Sequence, residues 1–398
     1  MPEKIFIVDD NTVNRKLLAA ILKKEGYELL EAVDGVEAVK FALEEQPDLI
    51  LLDIMMPVKD GYQVCRELKA DSRTSNIPII FLSAKTQVED KIKGLDLGGS
   101  DYVTKPFDRG EVLARVRAHM KIASLTKEVL VANRELVENQ QRLQEDLEAA
   151  GGIQRSLLPQ KPPRMDIIDV AWRFMPCESI GGDIFNVVRL DEDHWGLYML
   201  DVSGHGVPAA LVAVSVSQLF HSHQGLLLKE SIKPPPFYKV VSPADVLSKL
   251  DQEYPMERFG RYFTISYNLL NVRNGSIKYS NAAHPPPMLL HENGAMEFLD
   301  KGGTIIGMGG ILPFEEGEIF AQKGDKLFIF TDGIAEYENR DGEVYGEERF
   351  QQELTRLRNE PISVVIDGVM DSLMKFGDDN KPQDDITLLG IDFKEDLR

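Results

Sequence analysis

The sequence predicts a doubly wound α/β domain, then a helical coiled-coil linker, then an α+β domain built as a two-sheet β-sandwich flanked by helices. Three observations predict it. Residues 4–120 alternate short apolar runs with helical periodicity, residues 121–158 carry a heptad, and residues 159–398 read as β-rich with a few helices. At ~100–200 residues per domain, a chain of 398 residues has room for two or three domains with cores of their own.

Composition narrows the function classes. Lys plus Arg is 45 and Asp plus Glu is 65, for a net charge of −20. The excess is uneven: −4 over residues 1–120, −2 over 121–290 and −14 over 291–398. An acidic chain with no basic block is a poor match for nucleic acid or an anionic membrane, since both are polyanions. Two cysteines, Cys65 and Cys177, cannot make a disulfide framework or a thiolate zinc site and read as packing residues in a reducing compartment. The start, MPEKIFIVDD, lacks a basic region followed by an apolar stretch, and no apolar run reaches the ~18 residues a membrane helix needs. A cytoplasmic protein is expected.

In the first segment the strand-like runs are Ile5–Val8, Tyr27–Ala32, Leu49–Leu52, Pro78–Leu82 and Asp101–Thr104. Between them, patterns such as Asn14–Glu25 and Val36–Glu45 space apolar residues by three and four. This alternation predicts a parallel sheet with helices on both faces, and such sheets bind ligands beyond the carboxyl ends of their strands. Asp9-Asp10, Asp53, Ser83-Ala84 and Lys105-Pro106 stand at those ends. Carboxylate oxygens suit a hard octahedral cation such as Mg²⁺. Asp53, between the acidic pair and the lysine, could accept a phosphoryl group. Lys105 would pair with that group as a point charge and Ser83 would donate to it.

The motifs VDDN, LLDIMMPVKDG, FLSA and GGSDYVTKPF resemble the receiver domain of two-component response regulators, the CheY-like family, over residues 1–120. The resemblance implies that Asp53 is the phosphoacceptor and that Asp9, Asp10, Asp53 and the Met55 carbonyl hold Mg²⁺. It makes Ser83 and Tyr102 the switch pair, sets Lys105 against the phosphoryl group, and implies a sensor histidine kinase as partner.

From residue 121 the period changes. Ile122, Leu125, Val129, Ala132, Leu136, Asn139 and Leu143 follow a 3-4-3-4 spacing with polar residues between, the pattern of a parallel dimeric coiled coil. Asn139 on the seam would fix register at a cost in stability. Asp146, Ala150 and Gly151-Gly152 weaken the seam before it resumes at Ile153 and Leu157, and Pro159 ends the helix. The glycine pair is expected to act as a deformable joint between input and output.

Beyond residue 159, strand-like runs cover Ile167–Phe174, Gly196–Asp201, Tyr262–Leu270, Ser276–Asn281, Lys326–Thr331 and Ile386–Asp392. Helical patterns cover Pro208–His221, Pro243–Pro255, Glu347–Leu357 and Pro361–Phe376, and residues 222–242, with Pro234-Pro235-Pro236, read as a loop. Aspartates recur beside glycines in Gly181-Gly182-Asp183, in the turn from Asp201 to Gly206, in Asp332-Gly333 and in Asp384-Asp385. Oxygen ligands at tight turns suit Mg²⁺ or Mn²⁺, and a pair of such ions can acidify a water and clamp a phosphoryl group.

The runs IQRSLLP, SIGGDIFN, LDVSGHG, NAAHPPP, FTDGIAEYEN and QDDITLL resemble the metal-dependent Ser/Thr protein phosphatases (PPM family) of the bacterial SpoIIE type, over about residues 150–393. The resemblance implies two Mn²⁺ or Mg²⁺ ions bridged by Asp201. The Val202 carbonyl and Asp183 would complete one site, Asp332 and Asp384 the other, with Asp385 the lesser candidate of its pair. It also implies a phosphorylated STAS-domain anti-sigma factor antagonist as substrate. Two departures stand out: Asn186 where many relatives carry a second aspartate, and Ala283 where they carry glycine. Asn186 leaves a phosphorylation-switched scaffold of low or no activity as the alternative to an active phosphatase. His205 could protonate a leaving serine oxygen, but such a histidine more often bonds its own turn. His284 reads as structural, and His221 and His223 as a helix end. Glu336 and Glu338 read equally well as a solvated loop or as neighbours of the ligands. A DNA-binding regulator is disfavoured, because no basic helix follows the first segment.

Overall fold

The computed structural model describes residues 3–84, 88–163, 167–221, 227–233, 238–378 and 380–395. The chain divides into two compact units, Met1–Gln140 and Gln141–Arg398.

The first unit runs β1 (Lys4–Val8), α1 (Thr12–Lys23), β2 (Glu28–Ala32), α2 (Gly35–Glu45), β3 (Leu49–Asp53), α3 (Gly61–Ala70), β4 (Ile79–Ser83), α4 (Val88–Asp96) and β5 (Asp101–Thr104), followed by the helix α5 (Arg109–Leu157), whose residues from Gln141 on belong to the second unit. All sheet pairings are parallel, in the order β2-β1-β3-β4-β5. Successive side chains of a strand face opposite ways, and here both faces are covered. Phe6, Val8, Ile50 and Leu52 therefore enter one core, while Ile5, Ile7, Leu49 and Leu51 enter the other. Side chains of Asn11, Asp34 and Asp60 cap α1, α2 and α3, each satisfying helix N–H groups that have no partner within the helix. Strand order reverses between β1 and β3, so the crevice at their carboxyl ends lies where Asp9 and Asp53 stand.

The linker is not a separate element. Its residues continue the last helix of the first unit, and α5 passes through Gly151-Gly152 without a break. Ile122, Leu125, Val129, Leu136 and Leu143, the apolar seam positions, are all exposed in the single chain.

The second unit pairs two mostly antiparallel sheets. Among the described residues, one is a six-stranded sheet centred on His194–Val202, Phe263–Asn271 and Ser276–Ala282, with Ile184–Arg189 at an edge. The other is five-stranded and orders Met296–Phe298, Met288–Leu290, Lys326–Phe330, Ile386–Phe393 and Ile168–Met175. Alternation sorts the second sheet's residues. Leu327, Ile329, Leu389 and Ile391 join the core shared with the first sheet. Phe328, Phe330, Ile386 and Leu388 pack under the helices Glu347–Arg356 and Ile362–Gly377. Helices Val207–His221 and Pro243–Glu253 pack on the first sheet.

The expected strands and helices are present with ends shifted by one or two residues. The structure corrects the span 222–242. Lys229–Ser231 and Tyr238–Val240 pair as antiparallel strands, Leu227 and Leu228 are buried, and Pro234-Pro235-Pro236 and His223 lie outside the described residues. Several short strands gave no periodic signal, among them Ile184–Arg189, Met288–Leu290 and Gly317–Phe320.

Candidate functional site

Two acidic sites lie in the two units. In the first, β3 delivers Asp53 as its last residue, and Asp9 and Asp10 follow β1. Asp9 and Asp53 are buried and Asp10 is exposed, and one carboxylate oxygen from each lies within 4.8 Å of the others. The Lys105 ammonium bridges them, 2.7 Å from Asp53 Oδ2 and 2.9 Å from Asp9 Oδ2. Burial pushes the Asp53 carboxyl above its ordinary range against the opposing pull of Lys105. Burial pulls Lys105 down, but its bonds to Asp53 and Asp9 together hold it above its ordinary value. The Asn14 amide donates to both oxygens of Asp9, and the Arg15 guanidinium donates to the backbone carbonyls of Asp9 and Asp10. These two α1 residues carried no functional reading in the sequence; their position one turn into the helix after an Asp-Asp pair was the available signal. The Met55 amide lies 3.4 Å from Asp53 Oδ1. Ser83 ends β4, buried, and its carbonyl accepts from the Lys105 amide. Tyr102 on β5 lies under the Arg115 guanidinium of α5, 5.2 Å from its ring centre, and Arg115 also pairs with Asp101.

In the second unit, Asp183 precedes the strand Ile184–Arg189 and Asp201 lies near the end of His194–Val202, so strand pairing sets them side by side. Asp332 opens the turn after Lys326–Phe330, and Asp384 precedes Ile386–Phe393. Asp183 is fully buried, and Asp183 Oδ2 accepts from the Thr387 hydroxyl at 2.5 Å. Its carboxyl is driven well above the usual range by burial and then by the charges of Asp201 and Asp385. Burial, with Asp332 and Asp384 nearby, pushes Asp201 up to about 7. Asp332 is raised by burial and Glu336, and Asp384 by burial with Asp332 and Asp385 adding to it. Among the described residues no Lys or Arg pairs with any of these four; Asp183 is buried and the other three are half-buried, His205 is near enough to lower Asp384, and no three of the four bring carboxylate oxygens within 4.8 Å of one another as the receiver trio does. Hard oxygen donors short of counter-charge fit divalent ions, and the receiver-side trio, three converging carboxylates facing the single Lys105 ammonium, fits one as well.

Asp385 does something else. Its carboxylate accepts from the backbone N–H of Cys177 (2.9 Å), Gly182 (2.7 Å) and Asp183 (3.2 Å), and so holds the turn that presents Asp183. Glycine is required there, because a Cβ on Gly181 would overlap the Asp385 carboxylate and one on Gly182 would stand 2.9 Å from the Val202 carbonyl oxygen. The same turn is tied to α5. Gln154, buried, donates from Nε2 to the Gly181 carbonyl at 2.7 Å and accepts from the Gly181 amide at 3.1 Å. Asn186 is buried, and its amide donates to the Leu157 carbonyl at 3.4 Å, at the end of α5.

The remaining single residues sort by contact. His205 is exposed and pairs with Glu178 through Nδ1 at 3.1 Å. His284 is buried, 2.9 Å from the Thr264 hydroxyl through Nδ1, and burial drops it to about 3, so it is neutral and structural. Cys65 is buried core, and burial lifts the Cys177 thiol to about 12. Glu336 lies close enough to act on Asp332, whereas Glu338 bridges to Val344 through its backbone.

The sequence model of the stage II sporulation protein E (SpoIIE) family matches residues 191–394, just over half of the chain. The chain belongs to the SpoIIE family. In this SpoIIE-family chain the match includes Asp201, Asp332 and Asp384 and begins after Asp183. The response regulator receiver domain matches residues 5–117, so the N-terminal domain is a receiver and the C-terminal part a PPM-type phosphatase domain. The SiaA-PP2C domain of Pseudomonas aeruginosa covers 64% of this chain and 99% of its own at 20% identity, with a TM-score of 0.54, a likeness of fold. The RsbU and RsbW domains of Rv1364c from Mycobacterium tuberculosis cover 61% of this chain and 63% of theirs, 22% identical, at a TM-score of 0.48. The DNA-binding dual master transcriptional regulator RpaA of Synechocystis is 47% identical over 118 residues, 30% of this chain and 49% of that protein. The chain thus spans about half the length of that curated relative. Among the described residues, no helix is long and apolar enough to cross a membrane.

Proposed function

We propose that this chain is a two-component response regulator whose output is hydrolysis of phosphoserine or phosphothreonine in a protein, controlled by phosphorylation of Asp53. The observation that carries the output reading is the set Asp183, Asp201, Asp332 and Asp384, whose carboxyls are raised by burial and by neighbouring carboxylates and pair with no Lys or Arg among the described residues. Asp201 would bridge two Mn²⁺ or Mg²⁺ ions, with Asp183 and the Val202 carbonyl on one and Asp332 and Asp384 on the other. Bound there, the ions would supply an acidified water and a clamp on the phosphoryl oxygens. The chain's own part is to hold these ligands still: Thr387 on Asp183, and Asp385 on the turn before it.

A sensor histidine kinase would phosphorylate Asp53 at the Asp9, Asp10 and Met55 Mg²⁺ site. Lys105, now shared between Asp53 and Asp9, would follow the phosphoryl charge. Ser83 would turn toward it, and Tyr102 would shift with Ser83, biasing a two-state equilibrium. The exposed heptad seam of α5 supports pairing with a second copy as a parallel coiled coil. A change in that pair would reach the output through the Gln154–Gly181 bonds beside Asp183. The substrate proposed is a phosphorylated STAS-domain anti-sigma factor antagonist.

The test is phosphate release from phosphoserine-bearing STAS proteins with Mn²⁺ or Mg²⁺, with and without acetyl phosphate on the receiver. Wild type should release phosphate only with metal, and Asp201→Ala should fall to the blank. Equal release by both proteins would remove the catalytic assignment.

A further inference from the structure

The turn that follows Asp201 is pinned to a neighbouring segment by three bonds. The Ser203 amide donates to the Tyr262 carbonyl at 3.0 Å, the Tyr262 amide donates to the Ser203 hydroxyl at 3.2 Å, and Arg261 Nη1 donates to the Ser203 carbonyl at 2.8 Å. The Arg261 guanidinium lies so close over Gly204 that a Cβ there would collide with it. It forms no ion pair with a carboxylate among the described residues, and its contact on this turn is with Ser203, two residues beyond Asp201. A guanidinium with unspent donors beside a phosphoryl-transfer turn matches a phosphate dianion in charge and in its forked geometry.

The same segment carries an apolar lip. Met256, Tyr262 and Met308 are 43%, 39% and 40% exposed, and Ile311 and Leu312 beyond them 66% and 56%. Met256 and Tyr262 meet at Gly307, the residue before Met308: a Cβ there would touch the Cβ atoms of both, and its carbonyl accepts from the Met256 amide. The loop is built rather than loose. Asp251, buried, receives the backbone N–H of Gly307 at 2.7 Å, of Met308 at 2.9 Å and of Gly310. A buried carboxylate taking three amides holds the thioether and aromatic side chains at one surface, where Met and Tyr suit recognition of an apolar segment.

We propose that Arg261 and the Met256–Tyr262–Met308 lip recognise the substrate segment around its phosphoserine, with Arg261 on the phosphate and the lip on apolar residues flanking it. This rests on the phosphatase reading above. The occupant follows from continuity and charge: the lip shares its hydrogen bonds with the turn that must receive the phosphoryl group, and the cation between them is complementary to that group.

The test uses the full chain and two synthetic phosphoserine peptides of equal charge, one flanked by Leu and Met and one by Gly and Asn. With Mn²⁺, wild type should show kcat/KM about tenfold higher for the apolar peptide, within the range that one pocket contact discriminates. The double variant Met256→Asp and Met308→Asp should bring the ratio close to one, and Arg261→Ala should raise KM for both peptides alike. A wild-type ratio near one, or a ratio unmoved in the double variant, overturns the lip and leaves the phosphatase reading standing. If wild type hydrolyses neither peptide, the phosphatase reading fails. Fluorescence anisotropy with the same peptides then decides the lip: tighter binding of the apolar peptide supports it and equal binding overturns it.

Discussion

Of the two adjacent glycines of α5, Gly152 should gain stability from alanine and Gly151 should not. Both lie in the same helix, and both would gain about 1 kcal/mol from the higher helix propensity of alanine. Their surroundings differ. A Cβ on Gly152 meets nothing within 4 Å, whereas one on Gly151 would run into the backbone carbonyl oxygen of Ser179. A backbone cannot swing aside as a side chain can, so the helix or the 179 segment must move, and overpacking of this kind costs about 1–3 kcal/mol. Because the propensity gain is common to both, the difference between the variants isolates that contact at about 1–3 kcal/mol. Both tryptophans, Trp172 and Trp195, lie in the second unit, so tryptophan fluorescence, excited where tyrosine does not absorb, reads that unit during urea unfolding of the full chain. Gly152→Ala should move the midpoint up and Gly151→Ala should fall below it. The tightness of Gly151 also shifts the expectation for signalling: if the pair acted only as a soft joint, either substitution would alter output equally, whereas a contact at Ser179 makes Gly151→Ala the disruptive one. Equal midpoints, or a higher one for Gly151→Ala, would refute the reasoning.

Asp53→Ala should abolish labelling by a small phosphodonor while circular dichroism stays native, since Lys105 keeps its bond to Asp9; labelling equal to wild type would refute the phosphoacceptor assignment. Metal affinity should climb with pH. Asp201, raised to about 7, and Asp183, also raised, must shed protons to bind an ion, so calorimetric Mn²⁺ affinity should increase from pH 6 to 8 with proton release that grows as pH falls. The metal-free protein should show the reverse in stability. A carboxyl raised in the folded state holds its proton there and loses it when unfolded, so its contribution is full below the ordinary 3.8 and is lost as pH rises to about 7. Urea midpoints with and without Mn²⁺ across that window check both signs. Asp385→Ala leaves three backbone N–H groups of the Asp183 turn without their acceptor, for a loss of about 2–4 kcal/mol on the fluorescence-monitored unfolding curve and weakened Mn²⁺ binding, while Asp385→Asn, which keeps an acceptor, should lose less.

What could be read from the sequence was whatever local spacing encodes. Period-two and period-3.6 patterns placed the receiver strands to within a residue or two, and Asp9, Asp53, Ser83 and Lys105 stand out because each follows or closes an apolar run. The acidic motifs of the second unit were legible for the same reason, as aspartates beside turn glycines. Short strands such as Gly317–Phe320 were not, since three or four residues paired at a sheet edge leave too little pattern to separate from a loop. Roles that depend on distant partners were also hidden. Asp384 and Asp385 are neighbours of one chemistry, and only the fold sends Asp385 to three backbone amides near residue 180 while leaving Asp384 with Asp332. Gln154 reads as an ordinary polar helix position until the helix end docks and buries it against Gly181. Sequence by itself determined the two domain types and the acidic residues that mark their sites, because strand and turn signals are local. Tertiary structure decided which carboxylates are left short of counter-charge, which ones brace the backbone, and which glycine is a contact, because burial and hydrogen-bond partners arise from residues far apart in the chain.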